Sequence, residues 1–385
     1  MKLFLALSPK TCYTFPEIHA IALSPDELPG IEKGKKTLMK KRRLFLALFF
    51  VFFCLILGPG WLFCTAKAES GSGSVLDLSG IPIKNTALLE RLLPEISTPK
   101  KILLYDCGLT DPQIMALADR WPGFRFTWNM QLGGVSFSTD SEEIDLSGVQ
   151  FKDTRVLERR LKYLPNVKKI IMSDCGLDSP TLDALDRRHP DIRFVWTVKL
   201  GSLRVRTDET WFMPVKFKAT VQTKDLEEFK YCRDMVCIDI GHMWVHDCEW
   251  AAYMPNLEYL IIGETRISDL TPLQNLKKLK YLELFTIPVT DYSPLLGCTG
   301  LEDLNLGLTY GDPDIIAQMT WLKNLWWCDA NGVHDQQRRD AVTRMCEALP
   351  DTKIAIYIDH PTASGWRKLP NYYAMRDILG MFYMD

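Results

Sequence analysis

Between residues 75 and 350 apolar positions come in short alternating bursts separated by polar or amphipathic stretches. This spacing predicts brief strands joined by helices or turns. "LDLSG" from Leu76, "KILLYDCGL" from Lys101 and "RFTW" from Arg125 read as strands. Between them, Asn85 and Asp153 stand as N-caps before Leu-rich segments. Asp111-Pro112 and Ser179-Pro180 read as a cap followed by proline at the first helical position, where its missing N–H costs nothing. The extended runs Phe124 to Met130 and Ile192 to Val198 lead into Leu132-Gly133-Gly134 and Leu200-Gly201-Ser202, then alternate again. Each of these predicts a β-hairpin inserted between strand-and-helix coils.

The pattern repeats. Residues 75–140 laid over 143–208 at an offset of 68, without a gap, agree at 29 of 66 positions, which makes the segment an internal duplication. The offset reaches a third time, carrying Val167, Ile170 and Met172 onto Met235, Ile238 and Ile240. From there the period shortens to 22: Leu257, Leu260, Ile262; Leu279, Leu282, Leu284; Leu301, Leu304, Leu306; then Leu322, Leu325, Trp327. One such coil cannot bury its apolar edge, whereas stacked coils share a core and pair their strands into a parallel sheet.

This LxxLxL pattern resembles the leucine-rich repeat family, most fully at Val167, Ile170, Met172, Cys175 and Leu177. "ISDLTPLQNLKKLKYLEL" from Ile267 resembles the short repeats of internalin-type bacterial surface proteins. The resemblance implies an α/β solenoid with one continuous parallel sheet on its concave face and helices on the convex side. Inserted β-hairpins are expected in the N-terminal half. The chain departs from the family at the position of the Asn or Cys ladder, which holds Thr265, Ile287 and Thr309, so those turns must satisfy their backbone differently.

In LxxLxL the leucines point inward and the residues between them form columns across the concave face. One column holds Cys237, Tyr259, Tyr281, Asp303 and Asn324; the next holds Asp239, Ile261, Glu283, Asn305 and Trp326. Gly241, Gly263, Phe285, Gly307 and Cys328 follow the third leucine. The candidate ligand-binding set is therefore Tyr259, Tyr281, Phe285, Trp326, Asp239, Glu283, Asp303 and Asn305, an aromatic strip flanked by polar groups as in interface cores. The neighbouring glycines leave room for a ligand. The bland alternative is that these rings pack on sheet edges or on a cap.

No constellation points to catalysis: there is no nucleophile with a base, no paired carboxylates in a recognisable pocket and no phosphate-binding glycine loop. No cofactor is expected. Cys237, His242, His246 and Cys248 follow no zinc spacing, so no metal is expected either. Cys107 and Cys175 read as small buried thiols at ladder positions, and Cys232 with Cys237 or Cys248 are the disulfide pairs to examine first.

Composition and charge add location. The 385 residues are 47% hydrophobic with a net charge of -2. Residues 1–68 hold ten Lys/Arg against four Asp/Glu, so the remainder carries 36 basic and 44 acidic groups and is a poor partner for nucleic acid or an anionic membrane. Lys40 to Arg43 precede an apolar run from Leu44 to Leu57, and Ala66-Lys67-Ala68 resembles a cleavage site, the pattern of an export signal. An uncleaved anchor through residues 40–64 is the rival, and either places the body outside the cytoplasm, secreted or on the cell surface. The expected organisation is 1–38 upstream extension, 39–68 signal or anchor and 69–74 Gly/Ser linker. Two 68-residue units follow over 75–208, then repeats with a ~22-residue period over 209–350 and a cap over 351–385, where Trp366, Tyr372 and Tyr373 with Met375 and Met381 close the solenoid, partner docking being the alternative for this tail. Together these features predict an exported, non-catalytic binding protein that takes a protein or glycan on its concave sheet. The alternatives are a structural or assembly component of the cell envelope acting through the hairpins and, more remotely, a surface-associated hydrolase.

Overall fold

A computed structural model describes residues 75–95, 100–327, 335–356, 360–363 and 365–381. The export segment, the upstream extension, the Gly/Ser linker and Cys328 lie outside the described residues. Among the described residues no helix is long and apolar enough to cross a membrane. Helix α1 (Ala87–Leu92) and the 3-10 turn after it are the described part of one unit, with Leu89 and Leu93 buried. All other described elements belong to a second unit.

The same order of elements occurs twice along the chain. Strands β1 (Val75–Asp77), β2 (Lys101–Leu103) and β3 (Arg125–Thr127) form a parallel sheet, with helix α2 (Asp111–Arg120) between β2 and β3. Hairpin β4 (Asn129–Leu132) and β5 (Val135–Ser138) closes the unit, Leu132 facing Val135 across a two-residue turn with Gly133 at φ 59° and Gly134 at φ 86°. Positive φ at both central residues matches the right-handed twist of the flanking strands, and glycine takes it without a Cβ clash. The second unit repeats the order with β6 (Glu143–Asp145), helix α3 (Arg155–Leu161), β7 (Lys169–Ile171), helix α4 (Ser179–Arg188) and β8 (Arg193–Val195). Hairpin β9 (Thr197–Leu200) and β10 (Leu203–Arg206) ends it.

Seven parallel strands follow: β11 (Trp211–Phe212), β12 (Cys237–Asp239), β13 (Tyr259–Ile261), β14 (Tyr281–Glu283), β15 (Asp303–Asn305), β16 (Asn324–Trp326) and β17 (Lys353–Ala355). The repeat leucines form the core, Leu257, Leu260, Leu279, Leu282, Leu301 and Leu304 being fully buried. The 22-residue coils return through 3-10 turns such as Thr271–Leu273 and Ser293–Gly297 rather than through α-helices. The last two coils hold helices: α5 (Pro313–Ile316) lies between β15 and β16, and α6 (Gln336–Ala348) between β16 and β17.

Each coil leaves its strand through a left-handed residue at the same place: Asp106, Asp174, His242, Glu264, Thr286 and Leu308, all at φ between 50° and 62°. The N–H of His242, Glu264 and Thr286 each donates to a carbonyl of the following coil, on Gly263, Phe285 and Gly307. The strand ladder thus continues round the bend, which explains why non-glycine residues are held in a costly conformation. Two of the three turns lacking an Asn ladder are satisfied by hydroxyls. Thr265 Oγ1 donates to the Ile262 carbonyl and Thr309 Oγ1 to that of Leu306, each at 2.7 Å.

A solenoid with inserted hairpins is what folds, but its parallel sheet is interrupted twice, between β3 and β6 and between β8 and β11. The cause is local. Trp128 donates its N–H to Thr139 Oγ1 and accepts from the Thr139 N–H, so the backbone a next strand would use is taken by the returning hairpin. Trp196 and Thr207 repeat the arrangement.

Candidate functional site: a filled groove on the seven-stranded sheet

Strand register places the candidate residues in rows. Tyr259 pairs with Tyr281 and Tyr281 with Asp303; Asp239, Ile261, Glu283, Asn305 and Trp326 run alongside. Phe285 follows β14 and fills the space beside Gly263, whose missing Cβ would stand 2.6 Å from the Phe285 ring. These residues are all brought together on one sheet face.

That face is covered by the chain itself. After β17 the C-terminal residues turn back across the strands, carrying helix α7 (Pro370–Leu379) onto β11 and β12. Trp366 sits between Tyr281 and Trp326, 5.1 Å from each ring centroid. Leu369, Tyr372, Met375 and Leu379 bury the remaining apolar surface together with Met213, Cys237, Tyr259 and Ile261. Consequently Tyr281, Trp326, Glu283 and Asn305 are 0% exposed and Tyr259, Phe285 and Asp303 are nearly so; Asp239 keeps partial exposure. Two expectations change. The aromatic strip is not an open ligand surface in this conformation, because residues 361–379 occupy it. Nor does the C-terminal segment act as a cap on the end of the solenoid, since its apolar stripe meets the sheet's face instead. The room expected beside Gly307 is taken by Pro361, which lies 3.0 Å from where a Cβ would be.

Polar contacts are as specific as the apolar ones. Trp366 Nε1 donates to Glu283 Oε1 at 2.8 Å, the Tyr281 hydroxyl donates to the same oxygen, and the Arg367 guanidinium pairs with Glu283 Oε2 at 3.2 Å. Asn371 Nδ2 donates to Asp303 Oδ2 at 3.0 Å and to Glu302. Asn305 Nδ2 donates to the Pro361 carbonyl at 2.8 Å, and Trp326 Nε1 to that of Ala363 at 3.0 Å. The groove supplies the carboxylates and the segment supplies the cation and most of the N–H donors.

Electrostatics follow from this closure. Burial, with Glu283 nearby, raises the Asp239 pKa to about 6, opposed by the Gly241 N–H and by Arg367. Burial also raises Asp303, against its bonds to Asn324 and Asn371. Tyr281 is pushed well above the usual phenol range by burial and the facing Glu283 carboxylate. Burial works against the charge on Arg367, but Glu283, Tyr372 and Tyr281 together outweigh it and hold the guanidinium more firmly protonated.

The partners on the segment, Trp366, Arg367, Leu369, Asn371, Tyr372, Met375 and Leu379, are absent from the sequence-derived site. One signal pointed to them: Trp366, Leu369, Tyr372, Met375 and Leu379 recur at helical spacing, an apolar stripe that needs a covering surface.

Elsewhere the described cysteines are unpaired, Cys232, Cys237 and Cys248 included. The examined disulfide pairs do not form. Cys237 faces the groove cluster, while the Cys248 thiol reaches the Asp269 carbonyl in a turn. His242 pairs with Glu264 and His246 with Thr223, so neither converges with these thiols.

No family model and no curated protein matches the chain. Among solved structures it is similar to internalin C2 of Listeria monocytogenes, with 20% identity over 38% of this chain and 73% of that one, at a TM-score of 0.26. A second Listeria monocytogenes internalin matches at 14% identity over 76% and 84% of the two chains, with a TM-score of 0.26. A Leptospira interrogans leucine-rich repeat protein matches at 14% identity over 69% and 74%, with a TM-score of 0.31. The repeat class of this chain rests on its own strand register and not on these superpositions.

Proposed function

Because its strand register makes this chain a leucine-rich repeat protein, we propose that it is an exported, non-catalytic binding protein whose partner is a polypeptide held on the concave sheet. The observation that carries the reading is the seating of Trp366 and Arg367 on Tyr281, Trp326 and Glu283. A groove of that composition matches aromatic and cationic side chains, which favours a protein over a glycan among the ligands such a sheet can take. Export is supported by the basic and apolar pattern from Lys40 to Leu57. The absence of any recognisable nucleophile, base and oxyanion set in the sequence supports the non-catalytic role.

The test is site-specific photo-crosslinking in the producing cell. A photoreactive residue goes at Asp145 or Asp239 on the concave face, at Lys199 on the second hairpin, or at Lys278 beyond the 3-10 turns of the repeats. A single polypeptide partner crosslinked from Asp145 or Asp239, and not from Lys278, supports the reading. Crosslinks confined to Lys199 would transfer the function to the hairpins and to an assembly role.

A further inference from the structure

We infer that the C-terminal segment is the resting occupant of a docking groove, and that a partner enters by presenting the same chemistry: an aromatic–arginine pair followed by a short apolar helix. The inference rests on the polypeptide-binding reading above and adds the identity of the groove and the means of its control.

Three observations support exchange rather than a permanent core. The first is that the solenoid closes without the segment. Its repeat leucines are fully buried on the opposite side of the sheet by one another, and β17 has already completed the strand order before the segment begins. Removing the segment therefore breaks no coil, in a fold whose stability is a sum of neighbouring repeats.

A second argument comes from the groove's polarity. Asp239, Glu283 and Asp303 face a segment that pairs Glu283 with Arg367. Buried ion pairs seldom stabilise more than well-packed apolar residues of the same volume, and their best-attested role is to specify a partner or register. A surface meant only as core gains little from these carboxylates. A surface that must recognise one kind of segment and reject others gains selectivity, because a wrong occupant leaves Glu283 desolvated and unpaired.

Geometry of the recognition completes the case. Trp366 enters between two rings and places its N–H on one Glu283 oxygen while Arg367 takes the other, so two consecutive residues satisfy one buried carboxylate. This is an anchor pair on a single 3-10 turn (Trp366–Lys368), and α7 then lays its apolar face over β11 and β12. Helix-in-groove docking of this kind is read as anchors at helical spacing. A competing segment must match that pair first and the stripe second.

The probe is a synthetic peptide of residues 360–381, offered in trans to the full chain, with fluorescence anisotropy reporting capture. Two full-chain variants loosen the resident segment: Trp366→Ala removes the anchor, and Arg367→Glu sets a carboxylate against Glu283 while its side chain stays near the surface. A covalently linked occupant competes at an effective concentration of about millimolar, so the unaltered chain should capture the peptide weakly. Either variant should capture it about 100-fold more tightly, and the same peptide carrying Trp366→Ala should lose that gain. Equal capture by the unaltered chain and both variants overturns the resident-occupant inference, yet leaves the polypeptide-binding reading to the crosslinks. Failure of both variants to capture the peptide, with hydrogen exchange showing the segment open and the strands folded, overturns the groove itself. If Trp366→Ala loses the strands, Arg367→Glu alone decides.

Discussion

Trp366→Ala measures how far the C-terminal segment is energetically separate from the sheet it covers. The ring is fully buried, stacked at 30° on Tyr281 and tilted against Trp326, and it donates to Glu283. Truncating a buried tryptophan costs about 3–5 kcal/mol, a range that includes the cavity left behind. Glu283 keeps its bonds to Tyr281 and Arg367, so only part of its solvation is lost and the middle of that range, about 4 kcal/mol, is expected. At 1.4 kcal/mol per decade the local opening equilibrium moves by roughly three orders of magnitude. Amide hydrogen exchange followed by mass spectrometry is the assay. Amides of α7 should exchange about a thousandfold faster, up to the ceiling set by global unfolding, while those of β13 to β15 keep their protection. Exchange accelerated equally in α7 and in the central strands would refute the reasoning, since the segment would then unfold only with the solenoid. Unchanged exchange in α7 would refute it from the other side, because the anchor would carry no stability.

Acidity should tighten the same closure. Asp239 has a folded pKa of about 6 against the ordinary 3.8, so stability from its burial is full below the lower value and lost as pH rises through the upper. The difference is at most about 3 kcal/mol, less for its partial exposure. Protection of α7 should therefore be greater at pH 5 than at pH 8, and Asp239→Asn should remove that slope; a slope of opposite sign would reject the linkage. Thr286 is an exposed β-branched residue at φ 56°, so Thr286→Gly relieves about 1–2 kcal/mol of strain and returns part of it as unfolded-state entropy. A melting temperature raised by a few degrees is expected, and a fall would show that the turn is not strained. Gly133→Ala puts a Cβ 2.1 Å from a Val149 methyl, whereas Gly134→Ala meets nothing within 4 Å. Both glycines have positive φ, so denaturant titration should show about 1 kcal/mol lost at Gly134 and at least twice that at Gly133.

Much of the architecture was legible because a repeat states its register many times over. The 22-residue spacing of Leu260, Leu282 and Leu304 leaves one way to align three strands, and the paired rows of Tyr259, Tyr281 and Asp303 follow from it. The hairpins were legible from Gly133-Gly134 and Gly201-Ser202, because a glycine at the first turn position supplies the positive φ that a two-residue hairpin turn needs. Continuity of the sheet was not. It fails on one hydroxyl in each unit, Thr139 and Thr207, whose bonds to Trp128 and Trp196 divert the backbone from the next strand. A threonine at the end of an extended run carries no pattern that announces such a bond.

The groove shows a different limit. Periodicity tells which side chains share a face, but not whether that face meets water, a partner or the same chain. Here one sequence holds two unsatisfied surfaces: an acid-flanked aromatic strip on the sheet, and a helical stripe from Trp366 to Leu379 bearing a cation beside its first anchor. Each alone reads as an interaction surface. Taken together they satisfy one another, because Glu283 lacks a counter-ion within its own sheet and Arg367 supplies it. Complementary charge within two apolar surfaces is thus the one sequence-level clue that they meet. It also sets what any competitor must provide, since an occupant without the cation leaves the Glu283 carboxylate desolvated with no counter-ion.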